Sequence, residues 1–471
     1  MSFGRGARVT LLGQWIRFVI QFGGFVLLAR LLEPSDFGLV AMAGVASGFA
    51  ILFADLGLSL AAIQAKELSQ LQKSSLLVCN VIAGLAGSVV IAASGYGLAS
   101  FYDEPRVFAL SVVLSLPLLV SATGVQFRVE LTRERRFGTL ARQDILSAAV
   151  GLVAGVICAV LGYGYWALAA QAVVQPLVVT GLAILESKWR PSLQFNWDSI
   201  GSLLRFGGSN LALQAVNLAS RTVDVAMLGR SVDAAAVGAY SRSSQLISMV
   251  FAQVVSPLTR VILPRLAAAR DDEDFRGTVE RLQCAVSYVL GGILLFIVAE
   301  GEVALTVVLG DQWASAGVVL SMLAFGGFFA ALGYVYYWAL LAKARTSLLL
   351  AAELPGRVVM IAGAVIFAEH GPLGVAGAIV AGQGLTYVVG SLVLRQVGLA
   401  WVPLVRISSR PLAIFVCAAA LSAVVQNYFR SEVAMFIAAV GMWTCAALAA
   451  FCLSQGVRRD WACLIDMARA S

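Results

Sequence analysis

Long apolar stretches recur along the whole chain, and short polar connections separate them. Each stretch is close to the length of about 20 residues that a helix needs to span a bilayer. Fourteen such stretches lie near 11–32, 37–63, 75–100, 107–127, 144–162, 165–186, 203–228, 235–262, 282–308, 314–342, 346–368, 372–394, 411–428 and 433–454. The pattern predicts an all-α polytopic membrane protein with about 14 transmembrane helices.

The composition agrees with this prediction. Of the 471 residues, 60% are hydrophobic and only 13% are charged, whereas charged residues make up about 25% of a typical soluble domain. The seven cysteines show no CxxC spacing and lie mostly inside apolar stretches. We therefore interpret them as packing residues and not as a disulfide framework.

The distribution of basic residues tests the number of spans and predicts their orientation. With the N-terminus in the cytoplasm, 25 of the 33 Lys and Arg fall on the inner side, and four lie inside spans. Only four fall on the outer side, namely Arg30, Arg106, Arg230 and Arg430. A wrong span count would scramble this separation, so we predict fourteen spans with both termini in the cytoplasm. The net charge of +7 then follows from topology, and no nucleic-acid partner is predicted.

A weak internal repeat suggests how the spans are grouped. Shifting the sequence by 200 residues pairs Arg30 with Arg230 and Gly38 with Gly238. Because six spans are an even number, two six-helix halves would enter the membrane from the same side, as parallel repeats do in transporters. We predict an N-terminal six-helix lobe at 1–200, a C-terminal six-helix lobe at 201–400, and a terminal transmembrane hairpin with a cytoplasmic tail at 401–471.

We select seven ionisable residues that lie within the predicted spans as the candidate site. They are the arginines Arg17, Arg221, Arg242 and Arg357 and the carboxylates Asp55, Asp224 and Glu353. A charge at a helix centre costs about 2.5–3.5 kcal/mol, so these groups are predicted to face one another or a wet cavity. We assign the arginines to anion binding, because a guanidinium pairs a phosphate bidentately and stays charged. The carboxylates are assigned to gating or ion coupling.

Ion pairing between helices with no role in substrate binding is the alternative for all seven. It applies most directly to Glu353 and Arg357, whose spacing of four residues allows a pair within one helix.

Depth along the helices predicts one specific contact. Counted from the outer turn near Pro34, Arg17 lies 17 residues back and Asp55 lies 21 residues onward. At the rise of an α-helix both sit about 25–31 Å below the outer surface. We therefore predict an Asp55–Arg17 pair near the cytoplasmic mouth of the first lobe. It would act as a gate, with a static pair or a cation-coupling carboxylate as alternatives.

The sequence shows no set of residues for catalysis or metal binding. The single histidine, His370, lies at a predicted outer turn, which leaves no His-based metal site or catalytic triad. The acidic run at 271–274 is interpreted as solvated charge in a loop. We predict no catalytic residue, no metal and no cofactor.

Three segments carry a family resemblance: "ARLLEPSDFGLVAM", "FADLGLSLAAIQAKELS" and "RVELTRERRF". They resemble the polysaccharide flippases of the multidrug/oligosaccharidyl-lipid/polysaccharide superfamily, and within it the colanic-acid and exopolysaccharide exporters. The resemblance is strongest over residues 10–145. It implies two lobes around a central cavity that opens alternately to each side of the membrane.

The same resemblance implies a cargo and a location. The cargo would be an undecaprenyl-pyrophosphate-linked oligosaccharide, either an exopolysaccharide or an O-antigen repeat unit. It would move from the cytoplasmic to the periplasmic leaflet of the bacterial inner membrane. Membrane lipids are further implied partners, with H⁺ or Na⁺ as candidate coupling ions and other polysaccharide-assembly membrane proteins as candidate associates.

Two other functions stay open. A cation-coupled drug exporter of the same superfamily needs carboxylates in a less basic cavity. Among the seven selected residues, the four arginines outnumber the three carboxylates, which we interpret as favouring an anionic cargo. A membrane polysaccharide polymerase or ligase would carry a large external loop, whereas the predicted outer loops are short and hold few candidate acid–base groups.

Overall fold

Helices make up all of the regular structure that the computed structural model describes. The described residues are 3–55, 62, 68–192, 196, 222–269, 271–426, 428–429, 431–453 and 456–460, with the side chains of 3–11, 49–55 and 451 excepted. The helices are α1 Phe3–Leu31, α2 Pro34–Asp55, α3 Gln70–Tyr102, α4 Arg106–Arg133, α5 Phe137–Val160, α6 Trp166–Glu186, α7 222–231, α8 Ala234–Ala267, α9 Asp272–Leu309, α10 Ala316–Ala342, α11 Thr346–Phe367, α12 Gly371–Val393, α13 Trp401–Gln426 and α14 Glu432–Leu453. A helical turn follows at 456–460.

Eleven of the described stretches are long and apolar enough to cross a membrane. One of them, Thr346–Val397, contains both α11 and α12, so these stretches include every helix above except α2 and α7. The all-α polytopic class is confirmed.

Several helices continue beyond the predicted spans. The predicted connection at 128–143 is wrong, because α4 runs to Arg133 and α5 begins at Phe137, leaving three residues between them. Hydropathy detects only the part of a helix that lies in hydrocarbon, and these two helix ends are charged. The acidic run is likewise the start of α9: the Asp271 side chain accepts a hydrogen bond of 2.8 Å from the Asp274 backbone N–H. Acidic side chains in the first turn of a helix interact favourably with the helix dipole.

Residues Met1–Gly238 form one compact unit, held together by close helix contacts at small residues. In the antiparallel pair α3 and α4, a Cβ on Gly84 would lie 2.3 Å from Ala122 Cβ. Near the other end of the pair, a Cβ on Gly95 would lie 2.7 Å from Ser111 Cβ. Such approaches are typical of membrane helices, which associate by close packing and not by the hydrophobic effect.

Two glycines of the first unit bring main chains into direct contact. A Cβ on Gly38, in the first turn of α2, would lie 1.7 Å from the Ala234 carbonyl oxygen at the start of α8. A Cβ on Gly238 would lie 1.8 Å from the Pro34 carbonyl oxygen. The contact is therefore reciprocal between positions that differ by 200, the shift that relates the two halves of the predicted repeat. Only glycine fits at either position without moving a helix.

Residues Ala239–Ser471 form the other compact unit. Helices α11 and α12 approach closely where a Cβ on Gly363 would lie 2.4 Å from Ala378 Cβ. Trp313 and Trp338 are fully buried, and Trp338 Nε1 donates to Thr259 Oγ1 at 2.9 Å, which joins α10 to α8. This unit therefore has its own core.

Buried polar contacts attach the last two helices to α9. The carboxylate of Glu300, which is 1% exposed, accepts hydrogen bonds from Gln426 Nε2 on α13 and from Trp443 Nε1 on α14. Further along the same face, Gln283 Nε2 donates to Ser408 Oγ at 2.7 Å. The terminal helix pair is thus part of the second unit. The predicted lobe boundary near residue 200 stays a prediction, since residues 197–221 lie outside the described residues.

The glycine contact between α2 and α8 predicts a position-specific effect on stability. Gly38→Ala should lower the midpoint of thermal unfolding in detergent, because overpacking of this kind typically costs about 1–3 kcal/mol. Gly44→Ala is the matched control on the same helix, with no atom within 4 Å of the added methyl group. It should be neutral or slightly stabilising, since alanine favours a helix over glycine by about 1 kcal/mol. Equal midpoints for the two variants would contradict the close approach.

Candidate functional site

Three charged side chains from three helices meet in the first unit; we call Arg17, Arg128 and Asp144 the first-unit cluster. Arg128 Nη2 on α4 donates to Asp144 Oδ1 on α5 at 2.9 Å. Arg17 Nη1 on α1 lies 3.6 Å from Asp144 Oδ2. The side chains of Arg17, Arg128 and Asp144 are 39%, 31% and 28% exposed. All three side chains are therefore partly buried and partly accessible.

The packing of α1 on α5 explains why Arg17 meets Asp144. The two helices run parallel in a constant register. Gly13 of α1 packs against Ala141 of α5, and Gly24 of α1 packs against Leu152 of α5. The step is eleven residues along both helices. Continued from Gly13, this register places Arg17 beside residue 145, next to Asp144. Small residues on α1 thus set the height at which its arginine reaches the carboxylate of α5.

The described side chains of the first-unit cluster carry more positive than negative charge. Two guanidinium groups share one carboxylate, and at 3.6 Å the contact of Arg17 with it is electrostatic and too long for a hydrogen bond. In the part of the chain that the structure describes, Arg17 Nε and Arg128 Nη1 are buried without a hydrogen-bond partner. Among the described residues, the cluster therefore retains donor capacity and one net positive charge for an anion.

A second set of charges lies next to this cluster. On α6, Glu186 Oε1 lies 2.5 Å from Arg142 Nη2, and Glu186 Oε2 accepts from Gln143 Nε2 at 2.8 Å. Here one carboxylate meets one arginine, and the Arg142 side chain is 61% exposed. This neutral pair near the end of α6 provides a comparison for the first-unit cluster.

The second unit holds a cluster of different character, formed by Tyr336, Glu353 and Arg357. Arg357 Nη2 lies 3.0 Å from Glu353 Oε2, the pairing within one helix that their spacing allows. Tyr336 on α10 donates its hydroxyl to Glu353 Oε1 at 2.8 Å. Both carboxylate oxygens are occupied and the charges balance, so this second-unit cluster has the properties of a brace between α10 and α11.

The other predicted site residues lie on further helices or outside the described residues. Asp224, on α7 of the first unit, is 9% exposed and accepts from the Val225 backbone N–H at 2.8 Å. Arg242 is a partly buried residue of α8 in the second unit. Arg221 lies outside the described residues, and so does the side chain of Asp55. The Asp55–Arg17 pair therefore stays a prediction, whereas the described partner of Arg17 is Asp144.

Sequence reasoning missed several residues of these clusters. The predicted fourth span ends at residue 127, which leaves Arg128 in a connection. Asp144 is the first residue of the predicted fifth span, so it is not counted among the charges deep within a span. Continuation of a helix past the hydrocarbon leaves no hydropathy signal, so only the absence of Gly and Pro between residues 128 and 137 hinted at it. Glu300 lies inside the ninth predicted span and belonged among the candidates on that ground alone.

Within the described residues, no group of three His, Cys, Asp or Glu side chains could hold a metal ion. The ionisable clusters combine arginines with carboxylates, a composition suited to binding anions and pairing helices.

Comparisons with known proteins agree with a role in polysaccharide assembly. The sequence model of the family described as "Polysaccharide biosynthesis protein" matches residues 27–318. The chain is 25% identical over 357 residues to the teichuronic acid biosynthesis protein of Bacillus subtilis (strain 168), covering 73% of this chain and 72% of that one. It is 27% identical over 351 residues to a lipopolysaccharide biosynthesis protein of Escherichia coli (strain K12), covering 73% of this chain and 70% of that one.

Two solved structures share the fold. A lipid II flippase in an inward closed conformation superposes with a TM-score of 0.73 at 11% identity, over 94% of this chain and 98% of that one. An inward-facing multidrug resistance transporter of the MATE family superposes with a TM-score of 0.55 at 17% identity, over 83% of this chain and 95% of that one. At such identities the likeness concerns the fold alone.

If the second-unit cluster is a brace, removing its tyrosine hydroxyl should destabilise the protein. Tyr336→Phe should cost about 1.5–3 kcal/mol, the usual contribution of a hydrogen bond to a charged group, and lower the thermal unfolding midpoint in detergent. Tyr337→Phe on the same helix is the control, since the structure describes no hydrogen bond from its hydroxyl. An unchanged midpoint for Tyr336→Phe would show that the contact contributes nothing to stability.

Proposed function

The chain belongs to the polysaccharide biosynthesis protein family, and from that premise we propose that it is a flippase for a lipid-linked oligosaccharide. Its cargo is an undecaprenyl-pyrophosphate-linked repeat unit, which crosses the bacterial inner membrane by alternating access. The names of two relatives, which refer to teichuronic acid and lipopolysaccharide biosynthesis, support this cargo class. The fold shared with a lipid II flippase supports the mode of transport.

The observation that carries the proposal is the surplus positive charge of the first-unit cluster. Arg17 lies inside a predicted span, where a charge is expensive and is retained where it has a function. Arg17 and Arg128 together exceed the single carboxylate between them and keep unpartnered donors. A diphosphate supplies several oxygens that guanidinium groups bind bidentately. The cluster therefore suits the headgroup of the proposed cargo.

The other candidate residues take subordinate roles in the proposal. Arg221 and Arg242 would contact the headgroup deeper along the path, and Arg357 is retained mainly as the partner of Glu353. Asp55 and Asp224 are proposed for gating or for coupling to H⁺ or Na⁺. Glu353 is proposed for gating alone, because both of its carboxylate oxygens already accept hydrogen bonds. No covalent step is proposed.

Cation-coupled export of small molecules is the alternative, and the fold shared with a multidrug resistance transporter favours it. Such a transporter needs a carboxylate available to a cation. Glu300 and Glu353 instead accept hydrogen bonds at both oxygens, and Asp144 faces two arginines. A membrane polymerase or ligase would also need acid–base groups placed together in one site.

The proposed orientation places both termini in the cytoplasm and rests on the separation of 25 inner from four outer basic residues. The connection between α4 and α5 would then be cytoplasmic, and the one between α5 and α6 periplasmic. In this orientation the first-unit cluster would lie toward the cytoplasmic end, where cargo made in the cytoplasm would enter.

Cysteine labelling tests this orientation. In a variant without the seven native cysteines, Tyr163→Cys, at a site whose side chain is 58% exposed, should react with an impermeant reagent in intact spheroplasts. Glu134→Cys, between α4 and α5, should react only after the membrane is opened. Reaction of both from outside would rule out the proposed topology.

A deletion strain tests the function. Loss of the gene should trap lipid-linked glycan on the cytoplasmic leaflet, and the wild-type gene should restore export. Arg17→Ala or Arg242→Ala should restore at least tenfold less export at equal protein level, and lysine should rescue only in part because it lacks the planar fork. Arg142→Ala, in the neutral pair, is the control and should export normally. No trapped glycan in the deletion strain would refute the proposal, and normal export by Arg17→Ala would make that arginine structural.

A further inference from the structure

Asp144 is positioned as an internal anion in the first-unit cluster. Its carboxylate lies between arginines from two other helices, with one hydrogen bond of 2.9 Å to Arg128 and only a charge contact of 3.6 Å to Arg17. Elsewhere in the described structure, Glu353 and Glu300 each accept a donor at both oxygens. Asp144 is thus held less completely than either of these carboxylates.

The arginines around Asp144 are also incompletely satisfied. Arg17 Nε and Arg128 Nη1 are buried donors without a described partner, and a carboxylate has too few oxygens to serve two forked guanidinium groups together. A terminal diphosphate has more oxygens and more negative charge. It could bind both arginines bidentately and outcompete the carboxylate for them. A single phosphate esterified on both sides has one negative charge, like the carboxylate, and gains less from the exchange.

We propose that Asp144 is an exchangeable counter-ion that sets the specificity of this site for diphosphates. This rests on the proposed function. In the substrate-free protein, Asp144 neutralises one of the two arginines. An arriving diphosphate takes over Arg17 and Arg128, and the carboxylate moves off them. Singly charged headgroups, including those of ordinary anionic lipids, do not displace it. Its return to the arginines assists release.

Asp144 discriminates between anions because each of them must compete with its carboxylate for the two arginines. Selectivity between two ligands often depends on a feature that penalises the wrong one, in addition to contacts that favour the right one. Without Asp144, two uncompensated arginines would attract any anionic lipid in the membrane. The carboxylate therefore weakens the binding of all anions, so that only the most highly charged anions bind.

Binding measurements on the purified full-length protein test this inference, with farnesyl diphosphate as the probe. Asp144→Asn should bind farnesyl diphosphate at least tenfold more tightly than the wild type. It should also bind phosphatidylglycerol, whose phosphodiester carries one negative charge and which the wild type should not bind. Export by this variant should fall, because release is slowed. Glu186→Gln is the matched control: it removes one negative charge from the neighbouring neutral pair and should leave binding unchanged.

Affinity for farnesyl diphosphate that is equal or weaker in Asp144→Asn would overturn the inference and make Asp144 a brace. If Asp144→Asn does not fold, Asp144→Glu replaces it. Its longer carboxylate reaches both arginines, so affinity for farnesyl diphosphate should fall, and unchanged or tighter binding would refute the idea.

Competition experiments identify the source of the recognised group. Inorganic pyrophosphate should compete with farnesyl diphosphate in the wild type, because the cluster binds the headgroup. Equal competition by phosphatidylglycerol would overturn the proposed selectivity. A wild-type protein that binds no prenyl diphosphate at all would instead refute the proposed function. Binding by the wild type without the predicted order among variants would refute only the role of Asp144.

Discussion

Polar groups that enter the hydrocarbon of a membrane must find partners inside the protein, and the described structure follows from this requirement. The backbone meets it by forming helices throughout, since hydrocarbon offers no other partner for N–H and C=O groups. Buried carboxylates meet it through donors on neighbouring helices. Glu300 joins α9 to α13 and α14, and Glu353 joins α11 to α10 through Tyr336. The same contact thus satisfies a charge and holds two helices together.

A transporter of anions must relax this requirement at one place, because its cargo has to supply contacts that the empty protein lacks. The first-unit cluster shows this condition: two arginines, one carboxylate and two buried donors without described partners. Its side chains are also partly exposed, at 28% to 39%. The second-unit cluster, with balanced charge and occupied oxygens, shows what a purely cohesive arrangement looks like in the same chain. This contrast is why we place substrate recognition in the first.

Close packing at small residues decides which side chains can meet. Helices in a bilayer gain little from burying apolar surface against one another, so they associate where their shapes fit. Gly13 and Gly24 fix the register of α1 on α5 and so bring Arg17 to the height of Asp144. Gly38 and Gly238 likewise bring two main chains into contact at positions related by the 200-residue repeat.

Sequence alone determined the fold class, the family resemblance and the approximate positions of the membrane helices, because hydropathy and charge are local properties of each segment. It also identified Arg17 as a cation within a membrane span in need of a partner, and the spacing of Glu353 and Arg357 indicated their contact within one helix. It did not identify Asp144 as the described partner of Arg17, nor Tyr336 as the second donor to Glu353. Counting residues from a turn gives only the depth of a side chain in the membrane. Its direction around the helix axis, and the helix that lies beside it, are decided when helices pack, and many residues of a long chain share the same depth.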